Sequence, residues 1–354
     1  MLQGRTGTRC SSYDKESATS TTYNPQSAIH YLSSSASLGA FAVILSYLFH
    51  IPMPIIAAVF ATMNRSDTAL SCVRALAAQT RPPEMVVVAD NVSTDETVAE
   101  LERLQGLPFR LIVHRMDENR GNAGGVQEAM DFAFAKGADA VWVLDDDSWP
   151  RPEALEALIK EPWDAQVVRH SLQIDPKTGK FTWPLQIADS IQGWSMIDSI
   201  EALPNADFTK SRIIWTGALV SREVRQIVGA VNGALFIRGE DEDYPLRIEQ
   251  AGFTQAAARH SILDHPGPSD IIRWKFFGKH LFFEPGLADW KLYYKIRNMV
   301  WLKKSQSGAF YAIAMGMAYL IATAKIDGLH RVPLVLEAAI DGWNARLGKW
   351  RRHV

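Results

Sequence analysis

Apolar segments of strand length alternate with segments of helical length from residue 55 to residue 144, and this alternation constrains the fold more than any other feature of the chain. The apolar segments predict strands at residues 55–61, 85–89, 109–114 and 140–144. The intervening segments predict helices at 67–79, from 95 to about 104, and from a glycine-rich turn to 136. Strands that alternate with such helices form mostly parallel sheets with right-handed crossovers. The predicted fold class is therefore α/β, with a Rossmann-like, mostly parallel sheet flanked by helices.

The pattern changes beyond residue 161, where tryptophans are frequent and the predicted strands are short. We predict strands at 213–219 and 255–263, a helix at 221–228, and a helical region from about 287 to the end. The predicted organisation has four parts. They are an N-terminal extension (1–52), a nucleotide-binding half (53–160), an acceptor-side half (161–285) and C-terminal helices (286–354).

The N-terminal extension has an unusual composition, because no Asp, Glu, Lys or Arg occurs between Ser17 and Asn64. We expect residues 1–37, which are rich in Ser and Thr, to be disordered. The apolar run at 38–49 is shorter than the ~20 residues that span a bilayer. A non-catalytic extension is the favoured interpretation, and a membrane anchor is the alternative.

Net charge and cysteine content exclude some classes of function. The formal net charge of −2 gives no reason to expect nucleic acid as a partner. The two cysteines, Cys10 and Cys72, do not suggest a disulfide or a zinc site, and a reducing, cytoplasmic compartment fits them.

The predicted strand at 140–144 ends in three consecutive carboxylates, Asp145, Asp146 and Asp147. Adjacent carboxylates repel one another, and a cation is the usual partner that offsets this repulsion. Ligands of open α/β sheets bind just beyond the carboxyl ends of the strands, where these aspartates would lie. The cluster predicts a site for Mg²⁺ or Mn²⁺ with a diphosphate. The alternative is a solvated acidic turn that caps the helix starting near Pro152.

Two further features belong to the nucleotide-binding half. Asp90 ends the second predicted strand and can accept a hydrogen bond from a nucleobase, although aspartate is also common in turns. The glycine-rich turn at 119–125 matches neither dinucleotide-binding nor P-loop patterns. Its glycines would still permit a ligand to approach the backbone, and Arg120 offers a positive charge to a diphosphate.

A second acidic cluster lies at residues 240–243, at the predicted start of a helix. Carboxylates there also favour the helix dipole, so capping and function are both open interpretations. His265 follows the strand predicted at 255–263 and is a candidate neutral ligand for the same metal, although a lone loop histidine is more often structural.

Taken in order, these segments resemble family 2 glycosyltransferases, which are inverting enzymes of the GT-A fold. Residues 58–65 resemble the first strand and uracil-side loop of the family. Residues 86–95 resemble its nucleobase segment, with Val92 where a small residue is usual, and residues 145–147 match its DxD element. Residues 216–222 and 236–241 resemble the segment that leads to its catalytic base. Residues 293–298 resemble a signature of its galactofuranosyl- and rhamnosyltransferase-like branch.

The resemblance implies a metal-dependent hexosyltransferase that uses a nucleotide sugar, most simply UDP-linked, and Mn²⁺ or Mg²⁺. Asp241 would be the general base. The implied metal ligands are Asp145, Asp147 and His265. The implied nucleotide-sugar contacts are Thr62, Asn64, Arg65, Asp90, Arg120, Asp145 and Asp146. Trp215 and Glu240 are candidate acceptor contacts.

The implied acceptor is a glycan or a lipid-linked intermediate in polysaccharide synthesis. An apolar segment at 308–324 and a basic, Trp-bearing segment at 343–353 are compatible with peripheral association at the inner face of a membrane. Helices that only support the catalytic domain are the alternative. Two other functions stay open, a nucleotidyltransferase and a degenerate glycosyltransferase that serves as a binding protein.

Overall fold

The computed structural model describes residues 53–191, 193–212, 215–267, 271–276 and 279–352. The predicted extension at 1–52, with Cys10 and the apolar run at 38–49, lies outside the described residues. Among the described residues, nine strands form one sheet in the order β3-β2-β1-β4-β10-β6-β11-β5, and β9 pairs with β11. The strands of this sheet are β1 (Ile56–Thr62), β2 (Met85–Asp90), β3 (Arg110–Arg115), β4 (Ala140–Val143), β5 (Trp149–Pro150), β6 (Val167–Ile174), β9 (Phe208–Lys210), β10 (Ala218–Ser221) and β11 (Thr254–Asp264).

The sheet is parallel where the alternation predicts it. β1 pairs in parallel with β2 and with β4, and β2 pairs in parallel with β3. Beyond β4 the sheet is mixed, because β10 is antiparallel to both β4 and β6, whereas β6 and β11 are parallel. The predicted halves 53–160 and 161–285 both contribute strands to this sheet. Two short hairpins lie outside it, β7 (Leu185–Asp189) with β8 (Gly193–Ile197), and β12 (Ile272–Phe276) with β13 (Lys279–Phe283).

Helices cover both faces of the sheet, which is why β1, β2 and β4 are buried along their whole length. One core layer contains Val59, Val87 and Met130, and the other contains Phe60, Val88 and Leu76. The helices are α1 (Ser66–Ala77), α2 (Thr97–Glu102), α3 (Gly121–Ala135), α4 (Ala154–Leu158), α5 (Arg222–Val228), α6 (Glu240–Gln250), α7 (Asp289–Ser307), α8 (Ala309–Ile326) and α9 (Val332–Trp343). The predicted α/β class, with its mostly parallel sheet and helical C-terminal region, is confirmed.

Two predicted elements differ from those observed, and several observed strands, of which β6 is the longest, had no predicted range. The strand predicted at 213–219 is found at Ala218–Ser221. Residues 121–125, predicted as a glycine-rich turn, form the first part of helix α3. Strand β6 (Val167–Ile174) had no counterpart in the prediction, because its buried side chains include Arg169, His170 and Gln173.

The C-terminal helices α7, α8 and α9 pack around a core of their own that contains Tyr293, Tyr294 and Ile296 of α7. Among the described residues, α8 alone is long and apolar enough to cross a membrane by length and composition. The mean hydropathy over its 18 residues is 1.5, and 28% of this stretch is buried.

Candidate active site

The carboxyl ends of β1, β2 and β4 meet at one edge of the sheet, because the three strands are parallel neighbours. Thr62 is the last residue of β1 and lies opposite Asp90 of β2. The three aspartates at 145–147 follow β4 directly after Leu144. The parallel register therefore brings side chains from distant parts of the sequence to one place, as expected for a ligand-binding edge.

Asp146 is the most enclosed of the three aspartates, with 5% of its surface exposed. Its carboxylate accepts a hydrogen bond from the Thr62 hydroxyl at 2.8 Å and forms an ion pair with Arg65 at 2.8 Å. Burial nevertheless raises the pKa of Asp146 to about 7, against the opposing effect of the Arg65 charge. The same guanidinium contacts Asp147 at 2.9 Å, so one arginine serves two carboxylates.

Asp145, Asp147 and His265 form a group whose potential ligand atoms all lie within 4.8 Å of one another. His265 directly follows β11, and its Nδ1 lies 3.6 Å from Asp147 and 3.0 Å from the Ser148 hydroxyl. Burial is the largest cause that raises the pKa of Asp145, and the charges of Asp147 and Asp241 raise it further, although the charge of His265 opposes them. Two carboxylates and an imidazole in this arrangement fit a divalent cation.

The aspartates do not cap the helix that follows them. Helix α4 begins at Ala154, and its N-cap residue, Glu153, makes no capping hydrogen bond through its side chain. Asp145 instead accepts a hydrogen bond of 2.7 Å from the Thr216 hydroxyl, which lies just before β10. The alternative of a solvated, helix-capping acidic turn therefore does not describe this cluster.

Asp90 is wholly buried, and both of its carboxylate oxygens accept the backbone N–H of Ser93. A nucleobase would therefore contact Asp90 only after a side chain beside it moves. Asn64 lies beside the same loop, because its side-chain oxygen accepts a hydrogen bond from the Thr94 N–H at 2.7 Å. Val92 has a φ of 64°, which is rare for a β-branched residue, and the resemblance predicts a small residue at this position.

The glycines of α3 allow close packing within the protein, which differs from the predicted approach of a ligand. A Cβ on Gly121 would lie 2.1 Å from the Phe236 carbonyl oxygen, and one on Gly125 would lie 2.6 Å from the Ala61 Cβ. The Arg120 side chain pairs with Glu128 of the same helix at 3.2 Å. Helix α3 thus packs closely against both β1 and the segment around Phe236.

Helix α6 presents Glu240, Asp241, Glu242 and Asp243 in its first turn, so the capping interpretation also describes this cluster. Asp241 is exposed and accepts the Gly239 N–H at 2.8 Å. Glu240 is buried and accepts a hydrogen bond of 3.1 Å from Asn122. Burial, followed by the charge of Asp241, raises the pKa of Glu240 to about 8, and the charge of Asp145 adds to this rise. The charges of the two acidic clusters therefore influence one another.

Trp215 lies between these clusters in sequence and packs its ring 5.0 Å from that of Tyr244, edge to face. The indole N–H of Trp215 and one carboxylate oxygen of Glu240 are buried and have no hydrogen-bond partner among the described residues. Sequence reasoning did not identify Thr216, Ser148 or Asn122 as parts of this site. Hydroxyl and amide residues are common everywhere, and only the fold shows that Thr216 and Asn122 contact acidic side chains and that Ser148 contacts His265.

Comparisons with known proteins indicate which family the chain is similar to. Residues 58–227 match the family model described as Glycosyl transferase family 2. The galactofuranosyltransferase GlfT1 of Mycobacterium tuberculosis is 28% identical over 228 residues, which cover 61% of this chain and 71% of that protein. GlfT1 of Mycolicibacterium smegmatis is 25% identical over 228 residues, covering 62% and 73%.

Among solved structures, a mannosyltransferase from Pyrobaculum calidifontis, in complex with GDP-Man and Mn²⁺, is similar with a TM-score of 0.49 and 16% identity. That similarity covers 88% of this chain and 83% of the other. The predicted family and enzyme class are confirmed by the family match and by the GlfT1 relatives. Residues 58–227 thus match family 2 of the glycosyltransferases, and the chain is a glycosyltransferase enzyme.

Proposed function

We propose that this enzyme transfers a hexosyl unit, galactofuranosyl or closely related, from a UDP-linked donor to a hydroxyl of a glycan or lipid-linked acceptor during cell-wall polysaccharide synthesis. The observation that supports this proposal most directly is the group formed by Asp145, Asp147 and His265. The charge of Asp241 acts on Asp145, and the group belongs to a chain whose residues 58–227 match family 2. The names of the relatives support the galactofuranosyl class of sugar. We place the reaction in the cytoplasm, at the inner face of the membrane.

The donor would bind across the carboxyl ends of β1, β2 and β4. Asp90 and Asn64 lie at the corner where a uracil would be recognised, and Asp145 and Asp146 lie at the end of β4, where they would hold the ribose side. The guanidinium of Arg65 forms ion pairs with two aspartates, and the Arg65 side chain is 45% exposed. It could therefore also donate a hydrogen bond to a phosphate oxygen. Arg120 remains a proposed diphosphate contact, which requires it to leave Glu128.

Asp145, Asp147 and His265 would hold Mn²⁺ or Mg²⁺. When bound there, the ion would supply positive charge that offsets the negative charge developing on the leaving diphosphate. The observed group fits this role because its donors are two carboxylate oxygens and an imidazole nitrogen. The Ser148 hydroxyl beside Nδ1 would help to hold the His265 ring in place.

Asp241 would act as the general base. It is exposed at the start of α6, and its charge acts on both Asp145 and Glu240. Its carboxylate would accept the proton of an acceptor hydroxyl while that oxygen bonds to the anomeric carbon. The bond from that carbon to the diphosphate oxygen breaks on the opposite face, which inverts the configuration. General-base assistance of this kind contributes typically ~10²–10⁴ in rate.

Trp215 and Glu240 would contact the acceptor. Each has a buried polar atom without a partner among the described residues, and such atoms gain free energy when a hydroxyl pairs with them. The nucleotidyltransferase alternative has no support from the family match, which is to glycosyltransferases. The binding-protein alternative is not favoured, because the carboxylates that the resemblance assigns to the metal and to the base are all present.

The lipid-linked acceptor and the membrane association are supported by the C-terminal helices. An open apolar groove of about 490 Å³ lies between α8 and α9 and includes Ile313, Met317, Leu336 and Ile340. These four side chains are also exposed. Binding to vesicles that contain anionic lipid, at low salt, tests the association, with Ile313→Asp plus Ile340→Asp as the variant. Equal binding of the variant and the wild-type protein would contradict a role for this groove.

Release of nucleoside diphosphate from a panel of UDP-, GDP- and dTDP-sugars tests the proposed function. We expect release from a UDP-hexose with Mn²⁺ and its loss with EDTA. Acceptor hydroxyls are then added, and the anomeric configuration of the product is read by NMR. Release from GDP- or dTDP-sugars alone would overturn the UDP assignment, and a product with retained configuration would overturn the inverting mechanism.

A further inference from the structure

Helix α7 contacts the segment that leads to Asp241 with two buried side chains, Arg297 and Asn298, each 1% exposed. The Asn298 amide donates to the carbonyl oxygens of Leu235 at 2.9 Å and Ile237 at 3.1 Å, and also to that of Arg238. Arg297 donates to the Leu235 carbonyl at 2.8 Å and to the Asn298 side-chain oxygen at 2.8 Å. Residues 235–239, called here the base segment, are therefore held through their backbone.

The base segment has an unfavourable backbone conformation that needs such support. Phe236 and Arg238 have φ values of 68° and 66°, although neither is glycine. Gly239 has a φ of 103°, and a Cβ there would lie 3.1 Å from the Asn298 Cβ. Positive φ is energetically unfavourable for a residue with a side chain, and it persists only where the surroundings determine it. Strained residues of this kind are concentrated at functional sites.

A second set of contacts holds the side chains of the same segment. The Phe236 ring stacks on that of Tyr294, with 4.9 Å between their centroids. Arg238 makes a bidentate ion pair with Glu284 at 2.7 and 2.9 Å, and Lys295 joins it at 2.8 Å. Although burial opposes it, the hydrogen bond and charge of Arg238, with the charge of Lys295, lower the pKa of Glu284 to about 2.

The base segment is linked directly to the proposed base. The Gly239 N–H donates to the Asp241 carboxylate at 2.8 Å, so the orientation of that peptide helps to set the orientation of the carboxylate. Asp241 follows Gly239 by two residues, in the first turn of α6. A shift of the base segment would therefore move the carboxylate relative to Asp145 and the bound donor.

We propose that Arg297 and Asn298 are positioning residues for catalysis, which act through the base segment to aim Asp241 at the acceptor hydroxyl. This inference rests on the proposed function of Asp241. It predicts that the two side chains support transfer and contribute little to donor binding. Their hydrogen bonds go to the base segment, to the carbonyls of Ala234 and Gly348 and to each other, and Arg297 also lies over the rings of Tyr293 and Tyr294. A misplacement of about 1 Å at a reacting group can cost on the order of 10²-fold in rate.

The test compares Asn298→Ala with Lys304→Met in the full chain. Lys304 lies on the same helix and donates a hydrogen bond of 2.6 Å to the Trp343 carbonyl of α9, so its variant loses a hydrogen bond of α7 away from the base segment. We expect Asn298→Ala to lower kcat of transfer by on the order of 10²-fold. The Kd for UDP with Mn²⁺ should stay within about 2-fold, a change of under ~0.5 kcal/mol. Lys304→Met should keep the kcat of transfer within about 2-fold of the wild-type value.

A double-mutant cycle with Asp241→Asn separates positioning from general support of the fold. If Asn298 acts only through Asp241, then Asn298→Ala causes no further loss of kcat in the Asp241→Asn background, because residues that act as a unit are not additive. Equal losses in both backgrounds would overturn the inference. If Asn298→Ala does not fold, Arg297→Lys replaces it, since lysine keeps the charge but lacks the planar fork of donors.

The outcomes also distinguish this inference from the proposed function. A fully active Asp241→Asn variant would overturn the choice of base, and with it the reason for positioning. An inactive Asp241→Asn variant together with normal kcat in Asn298→Ala would overturn the inference alone.

Discussion

The two acidic clusters of this enzyme are held in opposite ways. The aspartates after β4 are held by side chains, with Thr62, Arg65 and Thr216 bonded directly to the carboxylates. Asp241 is held through the backbone, because α7 contacts the carbonyls of the segment before it. The first arrangement compensates charge, whereas the second supports a strained conformation. Loss of one contact should therefore alter donor affinity in the first cluster and rate in the second.

The largest effect is expected for Asp241→Asn. The amide cannot accept the proton, so transfer should fall by about 10²–10⁴-fold while UDP affinity is retained. Steady-state transfer assays and calorimetric UDP binding measure the two quantities. Glu249→Gln, at the other end of α6 in an exposed pair with Arg212, is the matched control. Full activity of Asp241→Asn would show that another group is the base.

Asp147→Asn should have the next largest effect, and on binding. It removes a charge from the proposed metal group, and we expect donor affinity with Mn²⁺ to weaken by ~10–100-fold, a range that even lost outer-shell partners reach. Donor titration with Mn²⁺ and with EDTA measures this. Asp207→Asn, in an exposed pair with Lys160, is the control. If donor affinity in the Asp147→Asn variant were unchanged in both conditions, the aspartate would not be a metal ligand.

The smallest effect concerns stability, and it arises where the two clusters influence each other. The folded-state pKa of Glu240 is about 8, above the ~4.3 of an unfolded glutamate. A group that binds its proton more tightly in the folded state than in the unfolded state stabilises the folded state. This contribution is fully present at a pH below the unfolded pKa, and it is lost as the pH rises through about 8. Glu240→Gln cannot ionise, so its melting temperature relative to wild type should rise between pH 5 and pH 9.

A change of ~2 °C or more is the expected size of that rise, since about 1 kcal/mol shifts the melting temperature of a large domain by this much. The control is Ser305→Ala, at an exposed position of α7 where neither side chain ionises, so its difference from wild type should stay constant across the same range. A difference for Glu240→Gln that does not depend on pH would contradict the raised pKa.

Sequence patterns predicted the first half of the fold well and the second half less well, for a physical reason. Strands β1, β2 and β4 are buried on both faces, so they read as continuous apolar runs. Strand β6 is equally buried but contains Arg169, whose guanidinium donates to the carbonyls of Leu158, Lys160 and Pro162. A buried polar network of this kind has no apolar periodicity, so the pattern did not predict it.

The candidate site shows the same limit. The acidic residues that follow predicted strands were identified from the sequence, because a charged side chain at the end of an apolar strand needs a physical explanation. Residues 121–125, the first part of helix α3, were predicted as a turn because glycine is common in turns, whereas Gly121 and Gly125 are needed for contact with Phe236 and Ala61. The positions of Arg297 and Asn298 relative to the base segment follow from tertiary packing, which no local pattern reports.

The close packing of α3 limits how this enzyme can be recombined with its relatives. The Ala123 N–H donates to the Phe236 carbonyl at 3.0 Å, and the glycines leave no room for a side chain between the helix and its neighbours. A chimera that exchanges only the acceptor-side half would pair one parent's helix with the other parent's base segment. Transplants that seek a new acceptor should therefore carry residues 121–125, 233–239 and 297–298 together as one inherited unit.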